Sequence, residues 1–311
     1  MQKSNYLVYV LTLSAVAFWG LSYVWMKVVF QYYDPITTMF IRLSLASVFM
    51  YTLLAIMGKK EKIQKEDYPA FLALSFFSPF CYFIGESFGL KLVSPTIAAV
   101  IIATIPVFTP FLGHFAFGEK ITKLNIAGFA ISFSGVMIMV LDFEFRFSAS
   151  PAGVMLLFFA VAAALANILF LKRLAMKYSS TTIIKTQNLL GALFFLPLFL
   201  IFDYQKFIQV QPTGELVWAL LKLSVFASTL AFMFYTISVR KIGVARTSIF
   251  SNLIPVCTAV FAFFLLGEKI DASKIVGMVV VISGLLLTQS LKLSKLRRSA
   301  KNAEEITPNA G

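Results

Sequence analysis

The sequence predicts an all-α polytopic membrane protein whose ten transmembrane helices form two inverted five-helix repeats. Three observations carry that expectation. The 311 residues are 59% hydrophobic and only 13% charged, whereas a soluble domain carries about 25% charged residues. Apolar runs of bilayer length recur ten times along the chain. Ile105-Pro106-Val107 returns as Ile254-Pro255-Val256, 149 positions later. The same offset carries Gly118-Glu119-Lys120-Ile121 onto Gly267-Glu268-Lys269-Ile270, Gly128 onto Gly277, and Ser134-Gly135 onto Ser283-Gly284. Repeats fix architecture, and in a membrane protein they point to the ligand site.

A bilayer core about 30 Å thick takes roughly 20 helical residues per crossing. The first run, 7–30, has Lys27 as its only charge, and the second, 35–57, follows Asp34 and holds Arg42. The third, 68–90, contains Cys81 and Glu86; the fourth, 95–117, contains Pro106 and His114. The fifth, 121–141, follows the Gly-Glu-Lys turn. A more polar linker, 142–150, leads through Pro151 into the sixth run, 151–174. The seventh, 180–203, and eighth, 214–239, carry Lys185 and Lys222; the ninth, 246–266, holds Pro255 and Cys257; the tenth is 272–291. These runs are too long and too rich in Leu and Phe for barrel strands. Five is odd, so a second copy must enter the membrane in the opposite sense. That creates a pseudo-two-fold axis in the membrane plane and places a substrate site near the midplane between the halves.

The early part of each half aligns at an offset of 145, with Ala15-Val16-Ala17 on Ala160-Val161-Ala162 and Lys27 on Lys172. The first repeat is expected at 7–141, the second at 151–291, and a basic, disordered cytoplasmic tail at 292–311. Ala15-Val16-Ala17 imitates a signal-peptidase site, but cleavage there would delete half of a repeated helix.

The net charge of +13 does not mark a nucleic-acid partner, because its placement follows the membrane. With the N-terminus inside, eighteen Lys and Arg residues fall on inner loops, helix edges and tails, against five on the outer side. This positive-inside bias predicts a multi-pass protein with both termini cytoplasmic. Cys81 and Cys257 fall inside helices and read as small packing residues, not as a disulfide or metal site.

Phe18-Trp19-Gly20-Leu21-Ser22-Tyr23 followed by Lys27, then Arg42 after Asp34-Pro35, resembles the opening of an EamA domain. Ile105-Pro106, Gly118-Glu119-Lys120 and Gly128 to Gly135 resemble its closing half, which the second unit repeats. The chain is similar, over about 7–291, to ten-helix EamA members of the drug/metabolite transporter superfamily. The resemblance implies a carrier of the bacterial inner (plasma) membrane, often an exporter of amino acids or other small metabolites, working with the bilayer and a small-molecule substrate; a homodimer is compatible with it. The second unit departs from the pattern: Ala163-Ala164-Leu165-Ala166-Asn167 replaces the aromatic-glycine motif, and Gln187 replaces Arg42.

Intramembrane charges are costly and are functional candidates by default. Lys27, Arg42, Glu86 and Lys222 are all expected in the outer half of the bilayer. Snorkelling is the bland alternative for Lys27, Glu86 and Lys185. An Arg42–Glu86 ion pair closing the outer mouth is one expectation. Pro106 and Pro255, read as mid-helix, free a backbone carbonyl four residues earlier and are hinge candidates. Trp19, Tyr23, Tyr82, Tyr235 and Asn252 suit a pocket for an amphipathic metabolite, although each could equally be helix packing. Asn167 and Gln187 read as interhelical glue.

No cofactor, metal or catalytic residue is expected. Gly85-Glu86-Ser87-Phe88-Gly89 matches the GxSxG pattern, but that motif needs a strand-to-helix elbow, and here it lies in an apolar helix. Without a Walker A motif, ATP-driven pumping is disfavoured. The expected function is therefore a secondary transporter, exporting by alternating access. The alternatives are a lipid-linked-sugar or lipid flippase and, further off, a membrane enzyme or scaffold.

Overall fold

The computed structural model describes the backbone of residues 2–58, 61–141 and 147–306, with side chains described for all of these except 2–5, 244–245 and 290–306. Among the described residues, ten helices are long and apolar enough to cross a bilayer. They are α1 (Gln2–Val29), α2 (Pro35–Ile56), α3 (Lys65–Leu92), α4 (Pro95–Phe117), α5 (Lys123–Val140), α6 (Pro151–Leu174), α7 (Ser180–Gln209), α8 (Gly214–Ile242), α9 (Arg246–Leu266) and α10 (Ala272–Ile306). No strand occurs among them; a single bridge joins Leu141 to Phe147.

Local chemistry sets the ends. Ser94, Thr122, Ser150, Ser179 and Thr213 each accept the N–H three residues later, capping α4 to α8, which satisfies donors that a helix start leaves orphaned. Gly118 and Gly267 end α4 and α9 at φ 67° and 65°, a left-handed conformation that glycine adopts without strain. Glu119 N–H then reaches the Gly113 carbonyl, and Glu268 N–H reaches that of Ala262. This six-residue closure is the same in both halves. The repeated Gly-Glu-Lys is thus a helix stop.

Among the described residues, α3, α4, α8 and α9 are interrupted near their middles, and α7 has a π-type stretch at Phe199–Asp203 toward its end. In α3, Ser78 is extended at φ −147°, ψ 122°, because the ring of Pro79 disfavours the helical conformation in the residue before it. A wider π-type stretch runs through α8 at Leu223–Leu230. Helix α4 breaks at Thr104 and α9 at Asn252 and Leu253, where three-residue turns replace the four-residue ladder. Pro106 and Pro255 do not sit inside continuous helices, as the sequence suggested. Each opens the second half of a broken one, beginning at Ile105 and Ile254. A proline lacks the N–H to continue the ladder but fits the first turn of a new segment.

Helices α5 and α10 pack antiparallel through glycine. A Cβ on Gly128 would lie 2.8 Å from the Gly284 carbonyl oxygen, and one on Gly135 would lie 2.7 Å from that of Gly277. Between them the Ser132 hydroxyl donates to the Val281 carbonyl at 3.1 Å. Ser132 and Val281 are 149 positions apart, and exchanging the halves maps the two glycine contacts onto each other. The glycines of the GxSxG look-alike also serve packing: a Cβ on Gly85 would meet the Leu156 carbonyl oxygen at 2.5 Å. Ser87 beside it is fully buried.

The segment after Leu291 differs from the expectation. Helix α10 continues to Ile306, through a stretch rich in Leu, Lys, Arg, Ala and Glu, all strong helix formers. Residues 307–311 lie outside the described ones.

Candidate functional site

The break in α3 builds the floor of the site. The freed Ser78 carbonyl accepts the Gln187 side-chain amide of α7 at 2.7 Å and that of Asn167 of α6 at 3.4 Å. Asn167 also reaches the Leu74 carbonyl at 2.8 Å. The two amides therefore act as glue, and what they hold is the broken backbone. The π-type stretch of α8 supplies Ser228, whose hydroxyl oxygen accepts Arg42 Nε at 2.7 Å.

Around these points lie two adjoining chambers of about 550 and 400 Å³. They share Trp19, Ser78, Tyr82, Phe83, Asn167 and Tyr235 as common walls. The larger chamber runs toward Ala175, Ser180 and Arg240, at the end of the bundle that carries the N-terminus. The smaller one reaches Arg42, Glu86, Tyr23, Pro106 and Asn252. The breaks of α4 and α9 face it, through Ile102 and Ala103 of α4 and through Ser251 and Asn252 of α9, as does Ser78 of the α3 break.

Arg42 and Glu86 are 3% and 5% exposed. They do not form the ion pair expected from their similar depth: none within 4.0 Å joins them among the described residues. Each has other partners. Glu86 Oε1 accepts the hydroxyls of Tyr82 at 2.7 Å and Tyr23 at 3.1 Å. Arg42 stacks over the Phe83 ring at 4.6 Å, and its Nη1 lies 3.6 Å from Met26 Sδ. A guanidinium has five N–H donors; with one strong acceptor engaged, the remaining donors are available to an anion in the chamber. Trp19 packs against Tyr235 and Phe232, with ring centroids 5.3 and 5.1 Å away, and the three form an aromatic wall common to both chambers. Asn252 lines the chamber, but its amide is paired reciprocally with Gln289 at 3.1 and 3.2 Å.

Three candidates fall elsewhere. Lys27 lines a separate vestibule at the other end of the bundle. Lys222 ends the regular first part of α8 and lines neither chamber. Pro255 is buried behind the α9 break. Sequence reasoning missed Phe83, Ser228 and the Ser78 carbonyl. The Ser78-Pro79 pair inside an apolar run was the available signal for the last.

At the end away from the N-terminus, Asp34 is bridged by Lys91 of α3 and Lys206 of α7. Hydrogen bonds from Lys206 and then Lys91 hold its carboxyl below the usual range. Asp203 accepts the N–H and hydroxyl of Thr37 at 3.1 and 2.8 Å. This clasp ties α2, α3 and α7 at the end opposite the open chamber. Among the described residues, no group of three or more His, Cys, Asp or Glu side chains converges to hold a metal ion.

The sequence pattern of the EamA-like transporter family matches residues 6–141 and again residues 151–289. An uncharacterized transporter of Archaeoglobus fulgidus is 25% identical over 272 residues, 88% of this chain and 95% of its own length. The uncharacterized transporter YetK of Bacillus subtilis is 28% identical over 285 residues, 90% of this chain and 86% of its own. One solved structure superposes with a TM-score of 0.66 at 14% identity, covering 91% of this chain and 96% of that one; at that identity the likeness is one of fold. Ten apolar helices and these relatives make the chain a multi-pass membrane protein.

Proposed function

The chain belongs to the EamA-like transporter family, and from that premise we propose that it is a secondary exporter of small metabolites bearing a carboxylate, such as amino acids or related compounds. One observation carries the proposal. A buried arginine with uncommitted donors and a buried carboxylate line the same aromatic-walled chamber. Burying a charge without a full set of partners is costly. A solute carboxylate supplies what Arg42 lacks, a bidentate acceptor. Glu86 suits the ammonium group of a zwitterion, and the Trp19–Tyr235–Phe232 wall suits its apolar part.

Alternating access accounts for the interruptions. The four broken helices, α3, α4, α8 and α9, meet around the chambers, and broken helices lining a cavity are where transporters bind substrate and bend. The α5–α10 contact, which maps onto itself when the halves exchange, is what an inverted repeat requires. In the proposed topology the open end is cytoplasmic, consistent with the excess of Lys and Arg there, and the clasp around Asp34 closes the outer end. Loading from the cytoplasm fits export.

The test is a metabolite-export screen in cells overproducing the protein, followed by counterflow in proteoliposomes. Movement of a carboxylate-bearing solute, weakened in Arg42→Gln, is the expected result. If no solute moves above empty vesicles, the carrier reading fails. Lipid scrambling in the same vesicles would point instead to a flippase.

A further inference from the structure

We propose that the vestibule at the end of the bundle away from the N-terminus is a second binding station for anionic groups, with Lys27 as its cation. It would receive the acidic group of the solute on release, and so rests on the carrier reading above. The vestibule has a volume of about 780 Å³, and its charged lining consists of Lys27, Lys91, Glu268, Asp271 and Lys274.

The charges of this lining are almost all committed. Lys91 is paired with Asp34, and Lys274 with Glu268 Oε1 at 3.0 Å. The other oxygen of Glu268 accepts the hydroxyl of Thr96 at 2.9 Å and its N–H at 3.4 Å, at the start of α4. Asp271 accepts Lys274 N–H at 2.9 Å at the start of α10. Lys27 alone among the three lysines has neither an ion pair nor a hydrogen bond to a described residue. It is partly buried, near the end of a membrane helix. Glu268, whose charge acts on Lys27 from beyond ion-pair distance, is already held by Lys274 and Thr96, so an incoming anion relieves the cost of the partly buried ammonium.

The vestibule also stands close to the central chamber. Tyr23 lines the chamber and Lys27 the vestibule, one turn or about 6 Å apart along α1. On α4 the interval is shorter: Ile97 faces the vestibule and Ala99 the chamber. By chain position Met26, Leu90 and Ala98 lie between, apolar and at 0% exposure, together with the equally buried Ser87 of α3. Arg42 already touches Met26, the neighbour of Lys27. The two cations therefore lie at successive levels of one path, separated by a thin buried seal. Opening this path to the outer side breaks the Tyr23–Glu86 hydrogen bond and, in the clasp, the ion pairs of Lys91 and Lys206 with Asp34.

Two measurements on the full chain test this. In a Cys81→Ser, Cys257→Ser background, Gln31→Cys places a thiol in the vestibule lining. It is labelled from the Lys27 side with an anionic and with a cationic methanethiosulfonate. Lys27→Gln should slow the anionic reagent roughly fivefold, as expected for loss of one nearby charge, without slowing the cationic one, and Lys27→Arg should restore the rate. An unchanged ratio overturns the anion site. For a solute that counterflow identifies, Lys27→Gln should raise KM at the vestibule face and leave KM at the opposite face unchanged, whereas Arg42→Gln should raise both. Equal effects of Lys27→Gln on both faces, or none, overturn the release role. If no solute moves at all, the carrier reading and the release role fall together, while the labelling ratio still decides the anion site.

Discussion

Tyr82 donates its hydroxyl to Glu86 at 2.7 Å, one turn away on the same helix and immediately after the α3 break. Tyr23 of α1 donates to the same oxygen. The carboxylate thus joins two helices at the edge of the chamber, and a hydrogen bond to a charged group contributes about 1.5–3 kcal/mol. Tyr82→Phe should lower counterflow about tenfold or more with little change in expression. Wild-type counterflow in Tyr82→Phe would remove Glu86 from the working site.

Arg42 and Glu86 share a chamber but not a bond. Arg42 rests on Ser228 and Phe83, and Glu86 rests on two phenols. Exchanging the charges would set an arginine among phenol donors and a glutamate against an aromatic face. The double reversal Arg42→Glu, Glu86→Arg should therefore stay as inactive in counterflow as either single reversal. Rescue would mean that the two pair directly during transport.

The α5–α10 contact has no room for a side chain. Gly135→Val should destabilise the protein by about 1–3 kcal/mol, the cost of overpacking a tight interface, visible as a lower melting temperature in detergent. Gly214→Ala is the control, because nothing lies within 4 Å of a Cβ there. Equal melting of the two variants would contradict the packing reading.

The clasp at Asp34 has a definite pH sign. Its carboxyl is held below the ordinary value of about 4, so its stabilisation is fully present above that value. It is lost as pH falls through the lower, folded value. With the Asp34 side chain 29% exposed, the contribution is about 1 kcal/mol or less. The difference in melting temperature between wild type and Asp34→Asn should stay constant from pH 8 to pH 5 and shrink only below about pH 4. A difference that appears only above neutral pH would show that Asp34 is not the group responsible.

The fold was largely legible because bilayer spans are written in local composition. All ten expected runs correspond to helices, and the repeated Gly-Glu-Lys marked two true helix ends. The site was legible in its residue types and less so in its partners. Trp19, Tyr23, Arg42, Tyr82, Glu86, Tyr235 and Asn252 do meet around one chamber, but Arg42 binds Ser228, 186 positions away. No local pattern encodes such a neighbour. Depth along a helix placed Lys27 and Lys222 beside Arg42, whereas the face of the helix decides what a side chain meets. The prolines were visible, but whether a helix bends at a proline or restarts there depends on packing beyond the sequence pattern.

The central claim is that Arg42 receives the carboxylate of a small solute in this chamber. Counterflow of matched carboxylate and carboxamide forms of one solute, in wild type and Arg42→Gln, tests it most directly. Wild type should prefer the carboxylate, and Arg42→Gln should lose that preference while remaining folded by melting temperature. An undiminished preference for the carboxylate in Arg42→Gln would contradict the account.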